Sequence, residues 1–562
     1  MRAIGGNAIR PAGDGAPLVT HDVANQPPPL AGRNLFEDDR PLAEAVEREG
    51  AAWALGMLSE AGTFWGGEPQ GWGEQANRRP PTLQTHDRWG NRVDLVEYDA
   101  SYHELMAAGI ARELHCGPWR TPRAGAHVAR AAQFVLAGQA EAGFLCPTTM
   151  TFAAVPALRA TPRVASEWEP LLTATGYDPR LEPAVEKGSA TCGMAMTEKQ
   201  GGSDVRANTT RARALGVGGL GEEYELTGHK WFCSAPMSDL FLVLAQSDEG
   251  LSCFALPNVL PDGSRNAMRI QRLKDKLGNR SNASSEVEYH GAWARMVGEP
   301  GRGVATILEM VAHTRLDCTL GAAAALRAQV AHATWHAAHR SAFGRRLADQ
   351  PLMRNVLADL ALEAEAATAL ALRLARAYDR AATDPAEALL RRLATAVAKY
   401  HVCKRVPEHA YEAMEVLGGA GYVEDSGLPR LYREAPLNAI WEGSGNVIAL
   451  DALRALTREP AALDALLAEI ELAAGADARL DAFVRSLHAE LSGPATLEAR
   501  ARRLVERMAL ALQGSLLVRH APAAVADAFC AGRLALDGLA GYGTLPAGVD
   551  VEAILERHTP AG

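Results

Sequence analysis

Apolar residues recur at helical spacing along most of this chain, and the places where that period stops divide it into parts. Asp39-Arg40-Pro41 is the first start signal, an acidic cap with proline in the first turn. Helical spacing then runs through Leu58 and returns over residues 99–155, as in Val128–Leu136. Before it, Met1 to about Pro29 is rich in Gly and Pro, and Pro27-Pro28-Pro29 excludes a helix interior. Near residue 190 the period shortens to two. Glu223–Thr227 and Glu286–Tyr289 alternate, Phe241–Ala245 is continuously apolar, and polar clusters separate them, which reads as strands joined by turns. From Val304 long helices are predicted over 304–340, 351–380, 385–417 and 438–457, punctuated by Gly344, Pro351, Pro385 and Gly418-Gly419. Thirty helical residues span roughly 45 Å, and several such helices on short loops read as a bundle. Beyond Pro460, Ala- and Leu-rich helical spacing continues to about Gly538. The prediction is a mainly α chain with a central β domain, in four parts: 1–190, 191–303, 304–457 and 458–562.

Composition adds bounds. At roughly 150 residues per domain, 562 residues correspond to three or four units. With 48% hydrophobic and 22% charged residues the chain reads as a soluble globular protein. A net charge of -10 makes no global demand for a nucleic-acid partner, although local basic patches are compatible with it. The eight cysteines are scattered without C-x-x-C spacing, as expected of reduced, buried thiols in a cytoplasmic protein. His401-Val402-Cys403 has no second half and reads as a structural pair on a helix, so no metal is expected. The first twenty residues lack the apolar block of a signal peptide. No run of about 18 apolar residues occurs, so no membrane span is expected.

One pattern is misleading. Gly216-Val217-Gly218-Gly219-Leu220-Gly221 fits G-x-G-x-x-G, but the residues after Gly221 read as a strand, whereas a dinucleotide site needs a helix there. It is expected to be a hairpin turn. More informative are Ala195–Val205, a loop of small and hydroxyl residues, and His229-Lys230-Trp231-Phe232-Cys233-Ser234 at a strand end. Together they resemble the flavin-binding part of the acyl-CoA dehydrogenase family, an M-T-E-x-x-x-G-S-D loop with G-x-K-W downstream. Further segments agree in order: Lys274–Ser281, Arg340-Ser341-Ala342-Phe343-Gly344 with Gln350, Val416–Tyr422, and Trp441-Glu442-Gly443-Ser444. Any one of these is weak, and five in order are specific. Phe144–Thr151, Thr197–Val205, Lys276–Ser284 and Ile440–Asn446 narrow the resemblance to the AidB-like branch, flavoproteins of the bacterial adaptive response to DNA alkylation. That branch also accounts for Asn25–Leu30 and for the extension after residue 457.

The resemblance implies a helical domain, a β-barrel and a helical bundle, with FAD as cofactor. Met196, Thr197, Gly202, Ser203, Trp231, Phe232, Cys233 and Ser234 would contact the isoalloxazine. Arg340, Phe343 and Gln350 would meet the FAD of a neighbouring subunit, and Gly418, Gly419, Ser444 and Asn446 would approach the cofactor, which implies a homotetramer. Many relatives have Thr where Cys233 is aligned, and a thiol is a weaker donor. Glu442 would be the base that takes a proton beside the thioester carbonyl of an acyl-CoA. Trp441 and Ile440 would supply the apolar wall that strengthens a carboxylate base. The rival explanation for Glu442 is an acid at a helix N-terminus, stabilised by the helix dipole. Some relatives carry the base immediately before an Arg that matches Arg315; here Thr314 occupies that position, which favours Glu442. The branch is associated with double-stranded DNA binding through the C-terminal region. Arg454, Arg458, Arg500, Arg502, Arg503 and Arg507 cluster there, and Arg suits phosphate recognition. Residues 451–562 nevertheless hold 11 Arg against 15 acidic residues and no Lys, and such clusters are more often solvated ion-paired faces. The residues leave two readings open: a flavin-dependent acyl-CoA dehydrogenase of weak activity, or a DNA-associated protective flavoprotein with vestigial activity.

Overall fold

The computed structural model describes residues 20–492, 497–535 and 541–560. Asp39 caps α1 (Arg40–Val46) as expected, accepting a bond from the Leu42 N–H at 3.1 Å. The helical run to Leu58 is not continuous: Gly50 takes φ +96° and a separate helix, α2 (Leu55–Trp65), comes after it. A glycine costs a helix only about 1 kcal/mol, so periodicity alone does not register this break. α3 (Ala126–Ala140) and α4 (Leu145–Leu158) are buried along nearly their whole length. The stretch between the two helical runs, left unassigned by the periodicity, contains an antiparallel hairpin, β1 (Thr82–His86) with β2 (Arg92–Glu97). It is stitched to the β domain by Arg92 donating to Ile270 O at 2.6 Å and by the Ile270 N–H donating to Asp94 at 3.1 Å.

Seven strands form the central domain: β3 (Cys192–Ala195), β4 (Arg211–Ala214), β5 (Glu223–Ser234), β6 (Leu240–Ser247), β7 (Gly250–Pro257), β8 (Met268–Leu273) and β9 (Ser284–Val297). β6, β4, β5, β9 and β7 pair in a closed ring, with β3 added beside β6 and β8 beside β9. Closure leaves this ring no open edge. The continuous apolar run on β6 has a simple cause. Phe241, Val243 and Ala245 fill the barrel, while Leu240, Leu242 and Leu244 face the helices outside it. Gly216–Gly221 joins antiparallel β4 and β5, with positive φ at Gly218, Gly219 and Gly221, so it is a turn and not a dinucleotide loop.

The bundle keeps closely to the predicted limits at α5 (Gly303–His339), α6 (Pro351–Arg380) and α7 (Pro385–Val416). The fourth prediction, 438–457, is corrected. A short helix, Leu437–Ile440, ends at a turn over residues 441–444, and α8 (Gly445–Arg458) starts beyond it. α9 (Ala461–Glu471), α10 (Ala501–His520) and α11 (Val551–His558) pack on α6 and α7. Ion pairs lock them there: Arg373 joins Glu387 and Glu469, Arg533 joins Asp359 and Glu363, and Arg557 joins Glu365. Gly538, the expected end of this helical stretch, lies outside the described residues. Among the described residues no helix is long and apolar enough to cross a membrane. All eight cysteines are buried.

Candidate active site

The break between the short helix and α8 carries Glu442, whose φ of +58° is a left-handed conformation that non-glycine residues rarely adopt. Three side chains from other helices hold it. Lys399, buried on α7, donates to Trp441 O at 2.9 Å and also to Gly443 O. Arg315 on α5 donates to Glu442 O at 3.0 Å and is itself paired with Asp451 at 2.8 Å. Gly443 takes φ +109°, a backbone conformation that side-chain-bearing residues rarely adopt, so glycine suits this position. The half-buried Glu442 carboxylate accepts a 2.6 Å hydrogen bond from the buried Thr314 hydroxyl on α5. Burial raises the Glu442 pKa above the ordinary carboxylate value, while Thr314, Arg315 and Lys399 restrain the rise. The carboxyl is therefore a strengthened base fixed in direction. Thr314 is not merely a vacated base position, because it grips the base directly.

The barrel supplies the opposite wall. The Trp231 N–H donates to Thr197 O at 2.8 Å, so the Met196–Ser203 loop and the end of β5 are one unit. Glu198 anchors that loop from beneath. It accepts from Lys230 Nζ at 2.8 Å, from the Thr209 N–H at 2.7 Å and from the Thr210 hydroxyl at 2.6 Å. Burial favours its neutral form, but these donors outweigh burial and hold the carboxyl well below the usual range. A Cβ on Gly202 would meet Thr197 Oγ1 at 2.4 Å. A cation covers Trp231: Lys274 Nζ lies 3.3 Å from its ring centroid.

The strand end corrects the reading of Cys233. β5 is irregular between Lys230 and Cys233, and Cys233 is fully buried in the barrel core, its thiol pushed up to about 12 by burial. The open side carries Phe232, 50% exposed, and the half-buried Ser234. The hydroxyl at this strand end is thus that of Ser234. Cys146 on α4 has Ser234 and Asn282 as hydrogen-bond partners and Glu442 within electrostatic range. Met196 and Trp441 pack on the same apolar cluster as Cys146, Met194 and Ala235. Met196 of the loop, Ala235 just after the strand end and Trp441 beside Glu442 thus border one apolar cluster.

Comparison with known proteins decides the family. Residues 25–179 match the adaptive response protein AidB N-terminal domain, 193–292 the acyl-CoA dehydrogenase middle domain, and 301–457 the acyl-CoA dehydrogenase C-terminal domain. The chain is 48% identical to AidB of Escherichia coli K12 over 91% of its own length and 94% of that protein. It belongs to the acyl-CoA dehydrogenase family, in the AidB-like branch. Acyl-CoA dehydrogenase family member 11 of Caenorhabditis elegans is 29% identical over 87% of this chain and 84% of its own. The crystal structure of C. elegans ACDH-11 in complex with C11-CoA superposes with a TM-score of 0.82 at 26% identity, covering 96% of this chain and 93% of that one. An acyl-CoA dehydrogenase from Bacillus anthracis, solved with FAD, shares the fold at 18% identity and a TM-score of 0.59, over 78% and 77% of the two chains.

Of the other family positions, those on one hairpin lie far from Glu442. Arg340, Phe343 and Gln350 belong to the hairpin β10 (Ser341–Ala342) and β11 (Arg345–Arg346). Arg340 is 25 residues along the helix direction from Arg315, roughly 38 Å at 1.5 Å per residue. Phe343 stands at the hairpin tip, 99% exposed with φ +54°. Gln350 braces the hairpin by donating to Ala342 O at 3.0 Å. Asn25 clamps its base: it accepts from the Ser341 N–H at 2.7 Å, donates to Ser341 O at 2.9 Å, and offers its carbonyl to Arg340 at 2.6 Å. Gly418 and Gly419 present open backbone, with no atom near an added Cβ. Ser444, the cap residue of α8, and Asn446 in its first turn are exposed.

The C-terminal arginines form no single free face. Arg503 and Arg507 share Glu490 at 2.9 and 3.2 Å. Arg502 donates to the Tyr400 hydroxyl at 3.2 Å, and Arg500 is half-buried beside them. Arg454 and Arg458 lie exposed on α8. Sequence reasoning assigned no role to Lys399, Glu198, Lys230 or Asn25. One signal was present for Lys399, a lone charge within the apolar run Ala394–Cys403.

Proposed function

We propose that this chain is a flavin-dependent oxidoreductase acting on the CH–CH bond of an acyl-CoA, with Glu442 as the base that removes the α-proton. The observation that carries this is the half-buried Glu442 carboxylate, its pKa raised by burial and its direction set by the 2.6 Å bond from Thr314. Such a group is a stronger base than an ordinary carboxylate and accepts a proton along one direction. The relative solved with C11-CoA supports an acyl-CoA as the substrate class.

The residues fit FAD. The small-residue loop Met196–Ser203 brings backbone close to a ligand, Phe232 offers a half-exposed ring, and Ser234 offers a hydroxyl on the same side. FAD, when bound, supplies the sink for the hydride leaving the carbon next to the deprotonated one. The chain's own residues orient and dry the reacting end: Trp441 and Met196 wall it, and Lys399 and Arg315 fix the Glu442 backbone. The exposed Phe343 hairpin, distant from Glu442, supports a site shared between copies of the chain and a homotetramer. Duplex DNA binding draws less support, because Arg502, Arg503 and Arg507 already have partners within the chain.

The test is anaerobic titration of the purified flavoprotein with a panel of acyl-CoAs. At least one should bleach the flavin, and Glu442→Gln should abolish the bleaching. Unchanged bleaching in that variant moves the base elsewhere, and a protein without flavin absorbance ends the reading.

A further inference from the structure

Arg315 is drawn in two directions at once. Its Nε donates to Glu442 O at 3.0 Å, while Nη1 donates to Asp451 Oδ2 at 2.8 Å. Nη2 lies 3.4 Å from where a Cβ on Gly443 would stand. The guanidinium is a rigid planar fork, so fixing one edge sets the direction of the other. Asp451 lies six residues beyond Gly445, the first residue of α8, roughly 9 Å along the helix axis. Arg315 therefore ties the turn bearing the base to the body of the helix that follows it. The other oxygen of Asp451 accepts from Arg392 on α7 at 3.2 Å.

Asp451 is suited to this task. It is half-buried, as are both arginines. Burial favours its neutral form, but Arg315 and Arg392 outweigh burial and hold the carboxyl below its ordinary value. The group is thus an anion, and both of its bonds are charge-assisted, which is the stronger kind. One carboxylate joins α5, α7 and α8. Lys399, also on α7, holds the carbonyls of Trp441 and Gly443, so three successive carbonyls of the turn each meet a cation. Glu442 sits at φ +58°, a conformation that persists only where the surroundings over-determine it. A turn held by Lys399 alone would keep the bonds on either side of Glu442 and lose the one at Glu442 itself.

We propose that Asp451 is a positioning residue for the base: acting through Arg315, it sets where the Glu442 backbone, and with it the carboxylate, is held. This rests on the reading of Glu442 as the base and adds to it a second carboxylate, nine residues further along the chain, that works through an intermediate. Misplacing a catalytic group by about 1 Å costs up to about a hundredfold in rate, so a small relaxation of Arg315 is enough to register.

The experiment is rapid-mixing reduction of the holoprotein by an acyl-CoA that bleaches the wild-type flavin, comparing wild type with Asp451→Ala, Arg315→Lys and the double variant. Asp451→Ala is expected to slow reduction about tenfold to a hundredfold. The apparent Kd for the acyl-CoA should hold, because a misaligned base raises the barrier without removing a binding contact. Asp451→Asn, which keeps an acceptor for Arg315, should recover part of the rate. The double variant should be no slower than the slower single one, since the two residues act as a unit. Additive losses overturn the proposal, as does a loss of affinity at an unchanged rate. In Arg392→Gln the bond between Arg315 and Asp451 remains, so reduction should slow less than in Asp451→Ala; an equal loss makes Asp451 a tie between helices and overturns the proposal. A readout without turnover separates this from the reading of the base. The protonated Glu442 carboxyl gives an infrared band, identified by its loss in Glu442→Gln, and that band should shift in Asp451→Ala. A band that stays in place overturns the positioning role. If no acyl-CoA bleaches the wild-type flavin, the dehydrogenase reading fails, and the infrared shift still decides for or against Asp451. Where Asp451→Ala does not fold, Asp451→Asn takes its place in each comparison.

Discussion

The Thr314 hydroxyl donates to Glu442 Oε2 at 2.6 Å across 128 residues of sequence, and this bond restrains how far burial strengthens the base. Burial raises the Glu442 pKa and Thr314 lowers it. In Thr314→Val the opposing hydrogen bond is gone and burial remains, so the pKa rises. A charged hydrogen bond is worth about 1.5–3 kcal/mol to the charged form, and its loss favours the protonated one. A base acts only when deprotonated, so the acid limb of the kcat/KM profile should move to higher pH, with the plateau retained. A profile that does not move removes Thr314 from the base's environment.

Lys399 holds the turn itself. In Lys399→Met the carbonyls of Trp441 and Gly443 lose their donor while remaining within the protein. A buried acceptor left without a partner costs about 1–3 kcal/mol. Denaturant unfolding should register that loss. Flavin reduction should slow more than stability alone accounts for, because Glu442 leaves its left-handed conformation. Lys399→Arg, which restores a donor, should recover part of the rate.

Glu198 and Lys230 are both fully buried and paired at 2.8 Å. Removing one partner strands the other charge, so Lys230→Met should destabilise the fold by about 3–5 kcal/mol. The pH dependence has a definite sign. The Glu198 carboxyl is held below its ordinary value in the folded state. Its stabilisation is therefore fully present above the unfolded pKa and is lost as pH falls through the depressed folded pKa. Glu198→Gln should flatten the acid limb of the stability profile, measured as unfolding midpoint against pH.

Asn25 acts at a distance from Glu442. Its side chain closes two bonds on Ser341 and its carbonyl orients Arg340. Asn25→Ala should weaken FAD retention about tenfold, the equivalent of one to two net hydrogen bonds. The pH limb set by Glu442 should stay where it is. A variant with unaltered FAD affinity detaches this segment from the cofactor.

The sequence by itself determined the long bundle helices, the central strand region and their order. The 3.6 and 2 periods are local, so α5, α6 and α7 were legible almost to the residue, as was the barrel and the turn at Gly216–Gly221. The family was legible too, because its motifs are short contiguous strings. What needed the tertiary structure is everything that depends on which distant side chains meet. The break at Trp441–Ser444 lies inside a helical pattern, and Lys399 and Arg315 hold it from other helices. Ser234 rather than Cys233 faces the open side because an irregularity in β5 sets which residues point into the barrel, and no linear pattern records that. Arginines adjacent in sequence, Arg502, Arg503 and Arg507, proved to be occupied. Arg315, Arg392 and Asp451, far apart in sequence, meet in one network. Helical and strand periods are short-range properties of the chain, whereas a site is a long-range one that exists only after the bundle and barrel pack.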